Sequence, residues 1–132
     1  KELSLMTYPS AWNQILTNFL MNSHVHGFED RIEGVISIEF IEDGRYLTLI
    51  YTDNGKGIPK SIENKIFDPF VTTKRGHGGS GLGMHLVFNL VTQALNGSIS
   101  LISEEGQGVQ FNIVFPVKNK NASMINSDQL LV

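Results

Sequence analysis

The sequence contains no cysteine, which excludes disulfides, thiolate zinc sites, iron–sulfur clusters and a cysteine nucleophile. It is also short of positive charge: ten Lys and Arg stand against thirteen Asp and Glu, a formal net charge of −3. A chain so balanced lacks the basic field on which affinity for nucleic acid or anionic lipid rests, so neither nucleic acid nor direct membrane contact is expected. No apolar run approaches the roughly 20 residues of a membrane span, and the opening residues have no signal-peptide pattern. The 132 residues, 41% of them hydrophobic, suffice for one core. The chain opens on Lys1 and passes almost at once to the strand-like Leu3-Ser4-Leu5-Met6, which reads as a segment cut from a longer protein.

What the chain does have is glycine, thirteen in all and clustered: Gly55 and Gly57 in one place, Gly76, Gly78, Gly79, Gly81 and Gly83 in another. Between these clusters the apolar pattern predicts the elements. Trp12, Ile15, Leu16, Phe19 and Leu20 recur at helical spacing after Tyr8-Pro9-Ser10, predicting an amphipathic helix that ends at Gly27. Residues 35–41 and 46–52 alternate like a hairpin around Glu42-Asp43-Gly44-Arg45, with Ile36, Ile38 and Phe40 on one face. A short helix is expected over 61–66 and a loop over 71–80. A second long helix carries Leu82, Leu86, Val87, Leu90, Val91 and Ala94 up to Asn96-Gly97. Strands over 98–103 and 109–115 close a domain spanning 1–117, and 118–132 reads as a polar tail or linker. Helices interleaved with hairpins predict a two-layer α/β sandwich, its mixed, mostly antiparallel sheet covered by helices on one face.

Three features carry chemistry. Gln14, Asn18 and Asn22 fall at i, i+4 and i+8, one stripe of carboxamides where a solvated face ordinarily bears Lys, Glu or Arg. Carboxamide oxygens suit hard cations such as Mg²⁺, and their NH₂ groups donate to phosphate. Asp53-Asn54-Gly55-Lys56-Gly57-Ile58 places an acid at a strand end before two glycines; the carboxylate can accept from an exocyclic amine while the glycines admit a planar ring. Its plainer reading is an Asp-rich turn. The run Gly76-His77-Gly78-Gly79-Ser80-Gly81-Leu82-Gly83-Met84 enters a helix, an arrangement whose free N–H groups suit phosphate oxygens. It fits neither the Walker nor the dinucleotide pattern.

Taken in order, these residues resemble the ATP-binding catalytic domain of sensor histidine kinases, within the gyrase, Hsp90, histidine kinase and MutL ATPase superfamily. The segment from Asn13-Gln14 through Asn18 and Asn22 to His26-Gly27 is similar to the N box, and Asp53-Asn54-Gly55-Lys56-Gly57-Ile58 to the G1 box. Phe67-Asp68-Pro69-Phe70 is similar to the F box and Gly79-Ser80-Gly81-Leu82-Gly83-Met84 to the G2 box. The resemblance implies a Bergerat-type fold that binds ATP and Mg²⁺, with Asn22 holding the metal and Asn18 beside the phosphates. It implies Asp53 on the adenine amino group, helped by Gly55 and Gly57, with Ile58 lining the ring and His26 stacking on it. Residues 71–80 become an ATP lid, and Gly79, Ser80, Gly81, Leu82 and Gly83 the triphosphate's backbone donors. Electrostatics adds Lys74 or Arg75 at the terminal phosphate. The chain departs from the family at Val25, where a basic residue is common, and at Val109-Gln110 before Phe111, where a small hydroxyl residue is common.

None of His24, His26, His77 or His85 is followed by an acid, as the family's phosphoacceptor usually is. His24 and His85 read as ordinary helix residues and His77 as a solvated lid residue. The acceptor histidine is therefore expected on a separate dimerisation domain, which in turn serves a response regulator, and the fragment is not expected to autophosphorylate alone. By the same resemblance it belongs to the cytoplasmic portion of a sensor kinase. Alternatives within the superfamily are an anti-sigma-type serine kinase or a hydrolase, though no acid lies between Ser10 and Gly27 to activate water. A nucleotide-binding module that no longer turns over is the third.

Overall fold

The computed structural model describes residues 9–29, 33–71 and 82–117. Helix α1 (Pro9–Asn22) begins on the fixed φ of its proline and buries Ala11, Trp12, Ile15 and Phe19. It widens into one π-helical turn, Ser23–Gly27, closed by the Phe28 N–H donating to the Ser23 carbonyl at 2.8 Å. Strands β1 (Ile36–Asp43) and β2 (Tyr46–Asp53) form the first hairpin, turning on Gly44 at a φ of 60°. A single turn, α2 (Lys60–Glu63), follows; then α3 (Gly83–Asn89), whose last turn again widens to π over Leu90–Ala94. Strands β3 (Ser98–Glu104) and β4 (Gly108–Pro116) complete the sheet.

The strand order is β1-β2-β4-β3, and every pairing among the described residues is antiparallel. β4 therefore runs down the middle, with Leu49 opposite Ile113 and Tyr51 opposite Phe111. Alternate residues of β2 and β4, namely Leu47, Leu49, Tyr51, Val109, Phe111, Ile113 and Phe115, meet Trp12, Ile15 and Phe19 of α1 and Met84, Val87, Val91 and Leu95 of the second helix. Aromatic rings tie the layers: Phe19 stacks on Phe111 at 4.6 Å between centroids, and Trp12 meets Phe115 at 5.1 Å. This is the two-layer α/β sandwich the sequence predicts.

One expectation needs correction. Leu20, Leu82 and Leu86, which match the helical apolar spacing, are exposed; the second helix instead buries Met84, Val87, Val91 and Leu95. A stripe a hundred or more degrees wide contains more positions than the sheet beneath can cover. Both long helices end in π turns, which rotate the last residues against the α-helical period. Ile36, Ile38 and Phe40 share the face of β1 that continues the core side of β2, as expected; Ile36 packs against the core there, while Ile38 and Phe40 are exposed. The strand-like residues 3–6, the loop from 72 to 80 and the tail 118–132 lie outside the described residues.

Candidate active site

The site forms where α1 ends, β2 ends and the last hairpin begins. Asp53, the final residue of β2, is 2% exposed. Its Oδ1 accepts from the backbone N–H groups of Gly55 at 2.9 Å and Val109 at 3.3 Å, and its Oδ2 from the Ser23 hydroxyl at 2.7 Å. A carboxylate offers about four acceptor positions; these bonds take three. No cation pairs with it among the described residues, so its charge is met by neutral donors and one acceptor position remains for a ligand.

Behind Ser23 lies Tyr51, its hydroxyl 2.7 Å from Ser23 Oγ and 3.2 Å from the Phe19 carbonyl. Burial raises the Tyr51 phenol above its ordinary value of 10.0; the Ser23 hydrogen bond opposes this, and the Asp53 charge adds to it.

The turn after Asp53 is held by backbone contacts on both sides. The Lys56 N–H donates to the Gly27 carbonyl at 2.9 Å, and a Cβ on Gly55 would stand 2.6 Å from that carbonyl's carbon. Gly57 takes a φ of 81°, and a Cβ there would stand 2.5 Å from the Glu104 carbonyl oxygen. Both glycines are thus accounted for by the chain's own packing, without a planar ring. Ile58 N–H donates to Ser103 Oγ at 2.8 Å, Gly106 N–H to the Lys56 carbonyl at 2.7 Å and Lys60 N–H to Glu105 at 3.2 Å, which fastens the turn to the β3–β4 hairpin. Lys56 Nζ adds an ion pair to Glu29 at 2.9 Å.

On the other flank, Asn18 and Asn22 are both half-buried on α1. Asn18 Oδ1 accepts from Gln14 at 3.5 Å, while its Nδ2 is buried with no hydrogen-bond partner among the described residues. Gly83, the first residue of α3, lies next to it; a Cβ there would approach Asn18 Oδ1 to 3.8 Å. A buried amide donor without a partner costs about 1–3 kcal/mol, and a phosphate oxygen satisfies it. Among the described residues no cluster of three His, Cys, Asp or Glu could hold a metal. Mg²⁺ is usually held by one or two side chains together with substrate phosphates, so a single carboxamide at Asn22 fits it better than it would a metal caged by protein.

Asn18, Asn22, His26, Asp53, Gly55, Gly57, Ile58 and Gly83 thus gather around one end of the sandwich, with His26 half-buried and Ile58 buried; Leu82 is exposed beside Gly83. Lys74, Arg75, His77, Gly79, Ser80 and Gly81 lie outside the described residues. Ser23, Tyr51 and Ser103 escaped the sequence reading, because their partners are 28 to 45 residues away and no periodicity reports that. His85, expected as an ordinary helix residue, has a structural task. Its Nδ1 donates to the Phe67 carbonyl at 3.1 Å, since a carbonyl only accepts, and its Nε2 takes the Asn89 amide at 3.4 Å.

Residues 7–119 match the family described as histidine kinase-, DNA gyrase B-, and HSP90-like ATPase. The chain is 36% identical over 104 residues to the alginate biosynthesis sensor protein KinB of Pseudomonas aeruginosa, covering 79% of this chain and 17% of that protein. It is 37% identical over 109 residues to the sensor histidine kinase ZraS of Escherichia coli K12, covering 83% and 22%. It therefore spans about a fifth of the length of these curated relatives. Among solved structures, full-length ShkA in complex with AMPPNP superposes with a TM-score of 0.67 at 30% identity, over 83% of this chain and 22% of that one. The mycobacterial sensor histidine kinase MprB shares the fold at a TM-score of 0.69 and 24% identity, over 83% and 72%. No helix among the described residues is long and apolar enough to cross a membrane. With a match covering most of its length, the chain belongs to the histidine kinase-, DNA gyrase B- and HSP90-like ATPase family.

Proposed function

We propose that the chain binds ATP with Mg²⁺ and presents the γ-phosphoryl group to a histidine on a separate dimerisation domain, which passes it to a response regulator. The observation that carries this reading is the pairing, among the described residues, of two unfilled valences at one end of the fold: the remaining acceptor position of buried Asp53 and the unpartnered Nδ2 of Asn18. An acceptor at one flank and a donor at the other match a base amine and a phosphate. Asp53 receives the adenine amine, Ile58 and His26 flank the ring, and Gly55 and Gly57 hold the turn that carries the carboxylate. Asn18 donates to phosphate, and Asn22 gives its carboxamide oxygen to Mg²⁺, which supplies charge neutralisation there. Gly79, Ser80, Gly81, Leu82 and Gly83 contribute backbone donors, and Lys74 meets the terminal phosphate. Residues of this chain position and neutralise; the nucleophile and its proton acceptor belong to the partner domain. The domain acts in the cytoplasm, as the resemblance to sensor kinases supports.

Calorimetric titration with AMPPNP, with and without Mg²⁺, tests the reading. The Asp53→Asn variant should lose affinity on the order of 100-fold, and Asn22→Ala should bind equally with and without Mg²⁺. Unchanged affinity in the first variant removes the adenine assignment, and a retained Mg²⁺ dependence in the second removes the metal assignment.

A further inference from the structure

We propose that Ser23, itself oriented by Tyr51, is a positioning residue for base selection: it fixes Asp53 as a pure acceptor aimed at an exocyclic amine. This rests on the reading of Asp53 given above. Three contacts link Asp53, Ser23, Tyr51 and the Phe19 carbonyl, at 2.7, 2.7 and 3.2 Å, yet the two hydroxyls own only one proton each. The carboxylate and the carbonyl only accept. Ser23 must therefore give its proton to Asp53 Oδ2. Tyr51 gives its own to Ser23 Oγ along the shorter of its two contacts and shares it with the Phe19 carbonyl.

Donation thus runs one way, from Tyr51 through Ser23 to Asp53. No hydroxyl proton is left over for a ligand, so the floor of the pocket can only accept. A base that presents an amine is matched there, and one that presents a carbonyl at the same place is not. All three side chains are buried, Ser23 and Tyr51 completely, and Tyr51 is further held by the Phe19 ring at 4.9 Å. Among the described residues Oδ1 is bound by two backbone N–H groups and Oδ2 by Ser23 alone. The orientation of Oδ2 therefore depends on this one hydroxyl. A Cβ on Gly27 would come within 3.0 Å of Oδ2; the glycine leaves that flank of the oxygen uncovered.

The test compares ATP with purine riboside triphosphate, which lacks only the 6-amino group, by calorimetric titration of the whole chain with Mg²⁺. The unmodified protein should prefer ATP by about tenfold. Ser23→Ala should lose about tenfold for ATP and less than about twofold for the analogue, while its urea midpoint confirms that it folds. An equal loss for both nucleotides makes Ser23 a purely structural residue and overturns the proposal. Failure of the unmodified protein to discriminate overturns the underlying reading of Asp53 instead, so the two failures separate. Should Ser23→Ala not fold, Tyr51→Phe, which removes only the first proton of the relay, should still narrow the preference by about threefold; an unchanged preference overturns the relay.

Discussion

The two flanks of the site are built on opposite principles. At the Asp53 flank nearly every polar group has a protein partner: the carboxylate accepts three bonds, the following turn is tied to the π turn after α1 on one side and to the β3–β4 hairpin on the other, and Tyr51 donates to Ser23 as Ser23 donates to Asp53. At the Asn18 flank a buried amide has no partner among the described residues, and Gly83 stands beside it, where a Cβ would come only into ordinary contact at 3.8 Å. The first flank is built before a ligand arrives, save for one acceptor position at Asp53, and is suited to selecting one chemical feature of a base. The second is left unfinished at a cost in stability and is completed by what it binds, as positions that must grip a charged, exchanging group commonly are.

That contrast can be broken in order of expected effect. Gly55→Ala strikes the finished flank, pushing a methyl against the Gly27 carbonyl. It should destabilise the chain by about 1–3 kcal/mol in urea unfolding, with nucleotide affinity falling alongside. Wild-type stability would mean that the close approach of turn and helix end is not a constraint. Asn18→Ala strikes the unfinished flank and should separate the two quantities. AMPPNP affinity should drop about tenfold, roughly 1.4 kcal/mol, while stability stays level or rises, because an unsatisfied buried donor is removed. A clear loss of stability would show that the amide already serves the fold.

The smallest effect is the most diagnostic of the relay. Burial holds the Tyr51 phenol above 10.0, so the unfolded chain ionises first and the folded one retains the proton. The stabilising contribution is fully present below 10.0 and is lost as pH rises from there through the higher value of the folded chain. Tyr51→Phe should therefore show a flatter stability curve than the unmodified chain from about pH 10 upward. Parallel curves would place the phenol in contact with water.

The hairpins were readable because alternation over residues 46–52 and 109–115 encodes which face is buried, and the turn from Asp53 to Ile58 stood out because its acid and glycines are local. The helix surfaces were only half readable. Leu82 and Leu86 fit the period as well as Val87 and Val91 do, and only the width of the sheet beneath decides among them. The π turns left no mark, since i→i+5 closure is set by what the helix ends pack against. Ser23 was hidden inside a recognisable motif, because a serine there is unremarkable until Asp53 and Tyr51 are brought to it.

The bonds at Asp53 have one more consequence. They reach back 30 residues to Ser23 and forward 56 to Val109, so the pocket floor is assembled from three distant stretches of chain. Pairings of such long range are slow to form, because the entropy of closing large loops is lost before any contact compensates for it. No portion of the polypeptide that stops short of Val109, emerging from a ribosome or cut by a protease, can hold this carboxylate by its full set of partners.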